Sequence, residues 1–296
     1  MTAPAPIEVV RLRARGLYAR ATARLRARPN FLVIGAQKAG TTSLHRYLAD
    51  HPAVLCATPK EVHYFNINFF QRPAWYLMHF PFEARARSIR RRYGVEPPVG
   101  ELTPCYLFHP QVPARVHAFD PGMRLIALLR DPVERAYSQY QMGIRNYGDT
   151  LSFEDALARE EQEAPVELAR MSADPEYTWP HARRRSYVAR GRYAEQLERW
   201  LALFPREQLL VLTSEELWSD PDIALQEIAS FLGVPEWQPS CYPHQSAGSH
   251  APMTAETRER LARLFEPENR RLEELLGRTF SWTAPATEPL ESHQPP

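Results

Sequence analysis

A short apolar run, Phe31 to Gly35, leads directly into Gly35-Ala-Gln-Lys38-Ala-Gly40-Thr41-Thr42-Ser43 and then into a stretch with helical spacing. β-Branched, apolar residues entered from Pro29 and left through glycine predict a buried parallel strand. Leu44, Tyr47 and Leu48 recur at helical spacing, Thr41 and Thr42 are suited to capping, and His51-Pro52 stops the helix. A strand that turns through glycines into a helix needs a parallel neighbour reached by a crossover, which confines the chain to α/β architectures.

The remaining sequence repeats this grammar. Val54 to Ala57 reads as a second strand, Val99 to Leu107 as extended chain, Arg124 to Leu129 as the clearest central strand and Gln208 to Leu212 as another. Between them lie an arginine-rich helical region reaching Arg92 and a helix from Pro132 to about Asn146. Further helices are expected over Phe153 to Arg170, over Ser186 to Phe204, in short pieces to Leu232, and over Thr254 to Leu275. The expectation is one domain with a central parallel sheet and helices on both faces. An Arg-rich helix over residues 1–29 precedes it, with Ile7, Val10, Tyr18, Ala21 and Leu25 near helical spacing. A disordered tail rich in Pro, Glu and Ser over residues 283–296 follows.

The first strand–loop–helix unit carries chemistry. Unpaired backbone amides and the positive end of the helix dipole point at whatever sits in the loop, so an anion is the natural occupant. The amides of Ala39 and Gly40, the hydroxyls of Thr41, Thr42 and Ser43, and the ammonium of Lys38 are the expected ligands. Gly35 and Gly40 have the spacing of a Walker A loop, but Thr41 stands where a nucleoside-triphosphatase has lysine. The lysine lies inside the loop instead. Of 36 basic residues only Lys38 and Lys60 are lysine, so both stand at positions where a compact ammonium is wanted rather than a planar guanidinium.

Bulk properties narrow the function further. The net charge of +1 demands no polyanion, nucleic acid is not expected as a partner, and Arg90 to Arg92 and Arg183 to Arg185 read as solvated helix faces. Cys56, Cys105 and Cys241 have neither disulfide-framework nor zinc spacing, so no metal is expected and a reducing compartment fits. No run of about 18 apolar residues occurs, and the first 30 residues lack a hydrophobic signal core, so a soluble, cytoplasmic protein is expected.

QKAGTTSL after FLVIG resembles the 5′-phosphosulfate loop of sulfotransferases that use 3′-phosphoadenosine 5′-phosphosulfate (PAPS). LLRDPVERAYSQY, residues 128–140, resembles their 3′-phosphate element, whose arginine and serine fall on Arg130 and Ser138. KEVHYF, residues 60–65, resembles the acceptor-side motif of the heparan sulfate branch, and the segment from Gly248 to Trp282 is similar to that branch's C-terminal segment. The resemblance covers residues 30–282. It implies a single P-loop-like sulfotransferase domain that uses PAPS without a metal and releases 3′-phosphoadenosine 5′-phosphate (PAP).

The residues support the same roles. An arginine at the C-terminal end of a central strand lies on the rim where open α/β sheets bind ligands, and Ser138 lies two turns along the next helix. An ion pair with Asp131 or Glu134 is the other reading of Arg130. Glu61 follows the second strand on the same sheet edge, where burial raises a carboxyl pKa toward that of a useful base. His63 shares its face if the segment is extended, to orient the acceptor or assist proton transfer. The resemblance likewise assigns the base to Glu61.

Several positions depart from the heparan sulfate branch. Glu101-Leu102-Thr103 lacks the lysine of a Glu-Lys-Thr-like element, and Ala247-Gly248-Ser249 replaces a Lys-Gly-Arg-like loop, leaving Gly248 and Ser249 to approach the 3′-phosphate. Asn66 stands where some relatives have Asp, and the paired C-terminal cysteines have no counterpart beyond Cys241. These differences point to a soluble, bacterial relative with its own acceptor: a sugar, a lipid-linked glycan or a secondary metabolite. A P-loop kinase and a non-catalytic PAP-binding module are the competing readings, and the oligomeric state is open.

Overall fold

The structure, a computed structural model, describes residues 14, 16–239, 241–242 and 252–283. Strands β1 (Phe31–Gly35), β2 (Leu55–Cys56), β3 (Val99–Leu102), β4 (Arg124–Leu129) and β5 (Leu209–Thr213) form one sheet in the order β2-β3-β1-β4-β5. Every adjacent pair is parallel. All of β1 is buried, as is β4 after Arg124, so the sheet is covered on both faces, as its unbroken apolar runs require.

The helices are α1 (Thr41–Asp50), α2 (Pro73–Leu77), α3 (Glu83–Tyr93), α4 (Val112–Phe119), α5 (Pro132–Tyr147) and α6 (Phe153–Ala173). They continue with α7 (Ala182–Arg185), α8 (Tyr193–Leu201), α9 (Ser214–Ser219), α10 (Pro221–Leu232) and α11 (Ala255–Leu276). The chain leaves β1 toward β2 on one side and leaves β4 toward β5 on the other. The crevice at the carboxyl ends of β1 and β4 is therefore the topological switch point, where such sheets bind ligands.

Three expectations change. The extended stretch from Val99 ends at Leu102, because Pro104 has no N–H to continue the ladder; the chain turns back so that Leu107 N–H donates to Ile34 O at 2.8 Å. The helix expected from Ser186 is broken at Gly191, where a Cβ would meet the Phe265 ring at 2.7 Å, and at Arg192 with φ −78° and ψ 73°. The leading helix ends in a 3₁₀ turn at Ala23–Leu25, and from Arg26 the chain pairs with Phe82; Arg28 precedes Pro29 and is driven away from helical ψ. Tyr18, Ala21 and Leu25 face solvent, and Ala19 is the buried residue.

Ile7, Val10 and residues 284–296 lie outside the described residues. Within the arginine clusters, Arg90 is ion-paired with Glu83 and Glu96, Arg184 with Asp149 and Arg185 with Glu163, while Arg91 and Arg92 are exposed. Among the described residues no helix is long and apolar enough to cross a membrane.

Candidate anion-binding and catalytic site

The loop after β1 is built for close approach. A Cβ on Gly35 would lie 2.6 Å from that of Leu107, so only glycine lets the turn after β3 pack there. Lys38 has φ 73° and Gly40 φ 85°, both in the left-handed region that costs a residue with a Cβ about 1–2 kcal/mol. Gly40 is the N-cap of α1 and supplies no capping side chain. Thr41 and Thr42, expected as caps, are instead the first helical residues, whose amides have no helical carbonyl to bond. Ser43 and Leu44 N–H both reach Gly40 O, at 3.0 and 3.2 Å, and Ser43 is buried while Thr42 is exposed.

Three ties hold this loop to the β4 segment, the first being Ala36 N–H, which donates to Leu128 O at 2.6 Å. The Ser214 hydroxyl lies 2.7 Å from Ala39 O and 2.9 Å from Leu129 O. Arg130, the residue after β4, donates from Nη1 to Lys38 O at 3.3 Å, and its guanidinium lies 5.1 Å from the Trp218 ring centroid. Its ion pair with Glu134 is loose, at 3.9 Å, and Glu134 is held closer by Arg258, at 2.5 Å. The buried Nε of Arg130 has no hydrogen-bond partner among the described residues. A buried donor without an acceptor is costly, and an anion in the crevice satisfies it.

The electrostatics agree. Burial first, then Arg145, Arg130 and Arg135, pull the Lys38 pKa below the ordinary lysine value, and no carboxylate ion-pairs with Lys38 among the described residues. Cations gathered in a half-buried crevice repel one another until an anion arrives. The sequence reading missed Arg135 and Arg145 on α5; their positive charge on the helix that follows Arg130 was the available signal. Ser138 is buried on the same helix, but no hydrogen bond joins it to Arg130 or to the loop among the described residues. Gly248 and Ser249 lie outside the described residues.

The second half of the site follows β2. Glu61 is held through both oxygens: Lys60 Nζ lies 3.3 Å from Oε1 and His63 Nε2 3.0 Å from Oε2. Both lysines of the chain thus belong to the site. His63 meets Glu61 as expected, but not through extended chain, since its φ is 56°. Its Nδ1 lies 3.3 Å from the Asn66 amide.

Underneath sits Glu101, fully buried, which the sequence reading took only as a neighbour of the missing lysine. Its carboxylate accepts from Val62 N at 3.1 Å, Thr103 Oγ1 at 2.7 Å and Tyr106 OH at 2.7 Å, while Thr103 Oγ1 accepts from His63 N at 3.3 Å. Burial raises its pKa against those hydrogen bonds. Residues 61–63 are thereby fastened to the carboxyl end of β3, beside β1, so Glu61 and Lys38 stand along one sheet edge.

A family model described as the sulfotransferase domain matches residues 28–244. The chain belongs to that family. Among curated sulfotransferases, heparan sulfate glucosamine 3-O-sulfotransferase 3B1 of Mus musculus is 28% identical over 278 residues, covering 86% of this chain and 65% of that protein. Bifunctional heparan sulfate N-deacetylase/N-sulfotransferase 3 of Homo sapiens is 33% identical over 216 residues, covering 70% of this chain and 22% of that protein. The chain thus spans less than two thirds of the length of these two sulfotransferases. The crystal structure of a sulfotransferase from Alicyclobacillus acidocaldarius superimposes with a TM-score of 0.65 at 33% identity, over 87% of this chain and all of that one.

Proposed function

We propose that this chain moves the sulfuryl group of PAPS to a hydroxyl of an acceptor by in-line transfer, without a metal ion. The observation that carries the reading is the pairing, across the switch point, of left-handed Lys38 with Arg130, whose buried Nε lacks a partner among the described residues. Lys38 and the backbone from Ala39 to Ser43 take the 5′-phosphosulfate; Arg130 and Ser138, with Gly248 and Ser249, take the 3′-phosphate. A hydroxyl of a sugar, a lipid or a secondary metabolite is the acceptor, and the protein works in a reducing, cytoplasmic compartment.

Glu61 takes the acceptor's hydroxyl proton as the new O–S bond forms, and His63 orients the carboxylate for that step. Lys38 neutralises the charge that develops on the departing phosphate oxygen, an interaction that strengthens toward the transition state and so acts on kcat. The test is PAP release from PAPS in EDTA. Glu61→Gln abolishes turnover and leaves PAP binding intact; a fully active Glu61→Gln protein contradicts the assignment.

A further inference from the structure

Beside Asn66 the structure has a cavity of about 260 Å³, walled mainly by apolar groups, among them Phe108, Met171 and Trp179. Its polar points are Asn66, His109, Thr178 and Arg190. Asn66 marks the end of the cavity nearest the base, since the Asn66 amide lies 3.3 Å from His63 Nδ1 and His63 Nε2 lies 3.0 Å from Glu61 Oε2; Glu61 does not line the cavity, so the reacting hydroxyl has to project past Asn66 to meet it. We propose that this cavity receives the body of the acceptor, and that this body is an uncharged, apolar ring or fused pair of rings bearing the reacting hydroxyl. The inference rests on the sulfuryl-transfer reading above.

The arginines around the cavity are engaged by the protein's own groups, which disfavours a polyanionic acceptor. Among the described residues Arg190 is the one cation lining the cavity, and its Nε is bound to Ser186 Oγ at 2.7 Å and directed at Ala182 O at 3.3 Å. Its guanidinium lies 4.4 Å from the Phe108 ring centroid, so it serves as a wall. His109 is neutral at any physiological pH, because burial and then Arg115, Arg190 and Arg199 push it down to about 3. Its Nδ1 accepts from Gln111 N at 3.3 Å, which leaves Nε2 as the donor beside Thr178 at 3.5 Å.

Leu102, where the resemblance expects a lysine, is fully buried and apolar. A sulfated or uronate-bearing chain would find the nearby arginines already engaged, Arg115 with Phe65 O and Asn66 O and Arg199 with Glu195 and Phe108 O. The volume falls just below the range of about 300–1,000 Å³ that holds drug-sized ligands, which suits one or two rings. The hydroxyl proton passes to Glu61, the acceptor oxygen bonds to sulfur, and the bond from sulfur to the 5′-phosphate oxygen breaks, giving a sulfate monoester and PAP.

The test uses the full chain with PAPS and two probes, 2-naphthol and an unsulfated glucosamine–uronate disaccharide. Calorimetry of 2-naphthol binding to PAP-saturated protein accompanies it. The expected result is turnover of 2-naphthol in preference to the disaccharide. Ala182→Phe, which fills the cavity, raises its KM at least tenfold while PAP affinity stays within twofold. Trp179→Ala, which removes a wall, does the same and serves if Ala182→Phe does not fold. Protein that binds PAP yet neither binds nor sulfates 2-naphthol, or whose KM ignores both variants, overturns the proposal. If 2-naphthol binds with the expected sensitivity to both variants but PAP does not bind, the cavity assignment stands and the donor assignment falls.

Discussion

The backbone amide of Val62 donates to the fully buried carboxylate of Glu101 at 3.1 Å, so the segment that carries Glu61 and His63 is anchored to β3 by a residue that touches neither donor nor acceptor. Truncating that carboxylate strands donors from Val62, Thr103 and Tyr106, each worth about 1–3 kcal/mol when left unsatisfied. Glu101→Ala therefore lowers the unfolding temperature and reduces kcat at least tenfold, while PAP affinity changes less than twofold because the donor loop hangs from β1 and β4. Calorimetry beside steady-state kinetics checks this; equal losses in PAP binding and kcat would show general collapse of the site.

The loop can be tested with a matched pair of glycines. Gly40 and Gly94 both have positive φ, at 85° and 70°, and neither would place a Cβ closer than 3.5 Å to another group. Alanine at either position costs about 1–2 kcal/mol of backbone strain, so both variants lose similar stability in denaturant. Only Gly40→Ala weakens PAP binding, by about tenfold, about 1.4 kcal/mol. Equal PAP affinities in the two variants contradict the role given to the loop.

As part of the proposed donor site, Lys38 is expected to set the pH dependence of PAP binding. Its pKa in the free protein is lowered by burial and by Arg145, Arg130 and Arg135, and a bound anion raises it again by favouring the charged form. PAP affinity is thus full below the lowered pKa and falls as pH rises through it, at lower pH than for an ordinary lysine. Within that window binding takes up a proton, measured from calorimetry in buffers of different ionisation enthalpy. Lys38→Ala removes the uptake.

Stability at low pH is governed in part by His109, which burial holds down to about 3. The unfolded chain takes up a proton near 6.5 and the folded one does not, so stability is lost as pH falls from 6.5 toward 3, with a limiting slope of about 1.4 kcal/mol per pH unit. His109→Gln flattens the thermal-melting profile over that range. An unchanged slope shows that other groups carry it.

The sheet was legible because each parallel strand is buried on both faces and writes itself as an apolar run, as in Phe31–Gly35 and Arg124–Leu129. The end of β3 was less so: the apolar residues of 105–108 pack in a turn, and Pro104 was the unread stop. At the candidate site, the positions of Lys38 and Arg130 were legible, since one lies in the loop that leaves β1 and the other directly follows β4, whereas Glu61 lies past the end of β2 and was placed by its motif. Glu101 was not legible, since a buried carboxylate held by Thr103, Tyr106 and a distant amide has no local signature. Ser214, which bridges Ala39 and Leu129, lies 175 residues from the loop it holds and was invisible for the same reason.

The most direct measurement is calorimetric titration of PAP and of ADP, in EDTA, into the native protein and into Lys38→Ala and Arg130→Ala. The account predicts tight PAP binding without metal, much weaker ADP binding, and loss of PAP affinity in both variants. ADP binding as tightly as PAP, or PAP binding only when magnesium is restored, would contradict it and favour a P-loop kinase.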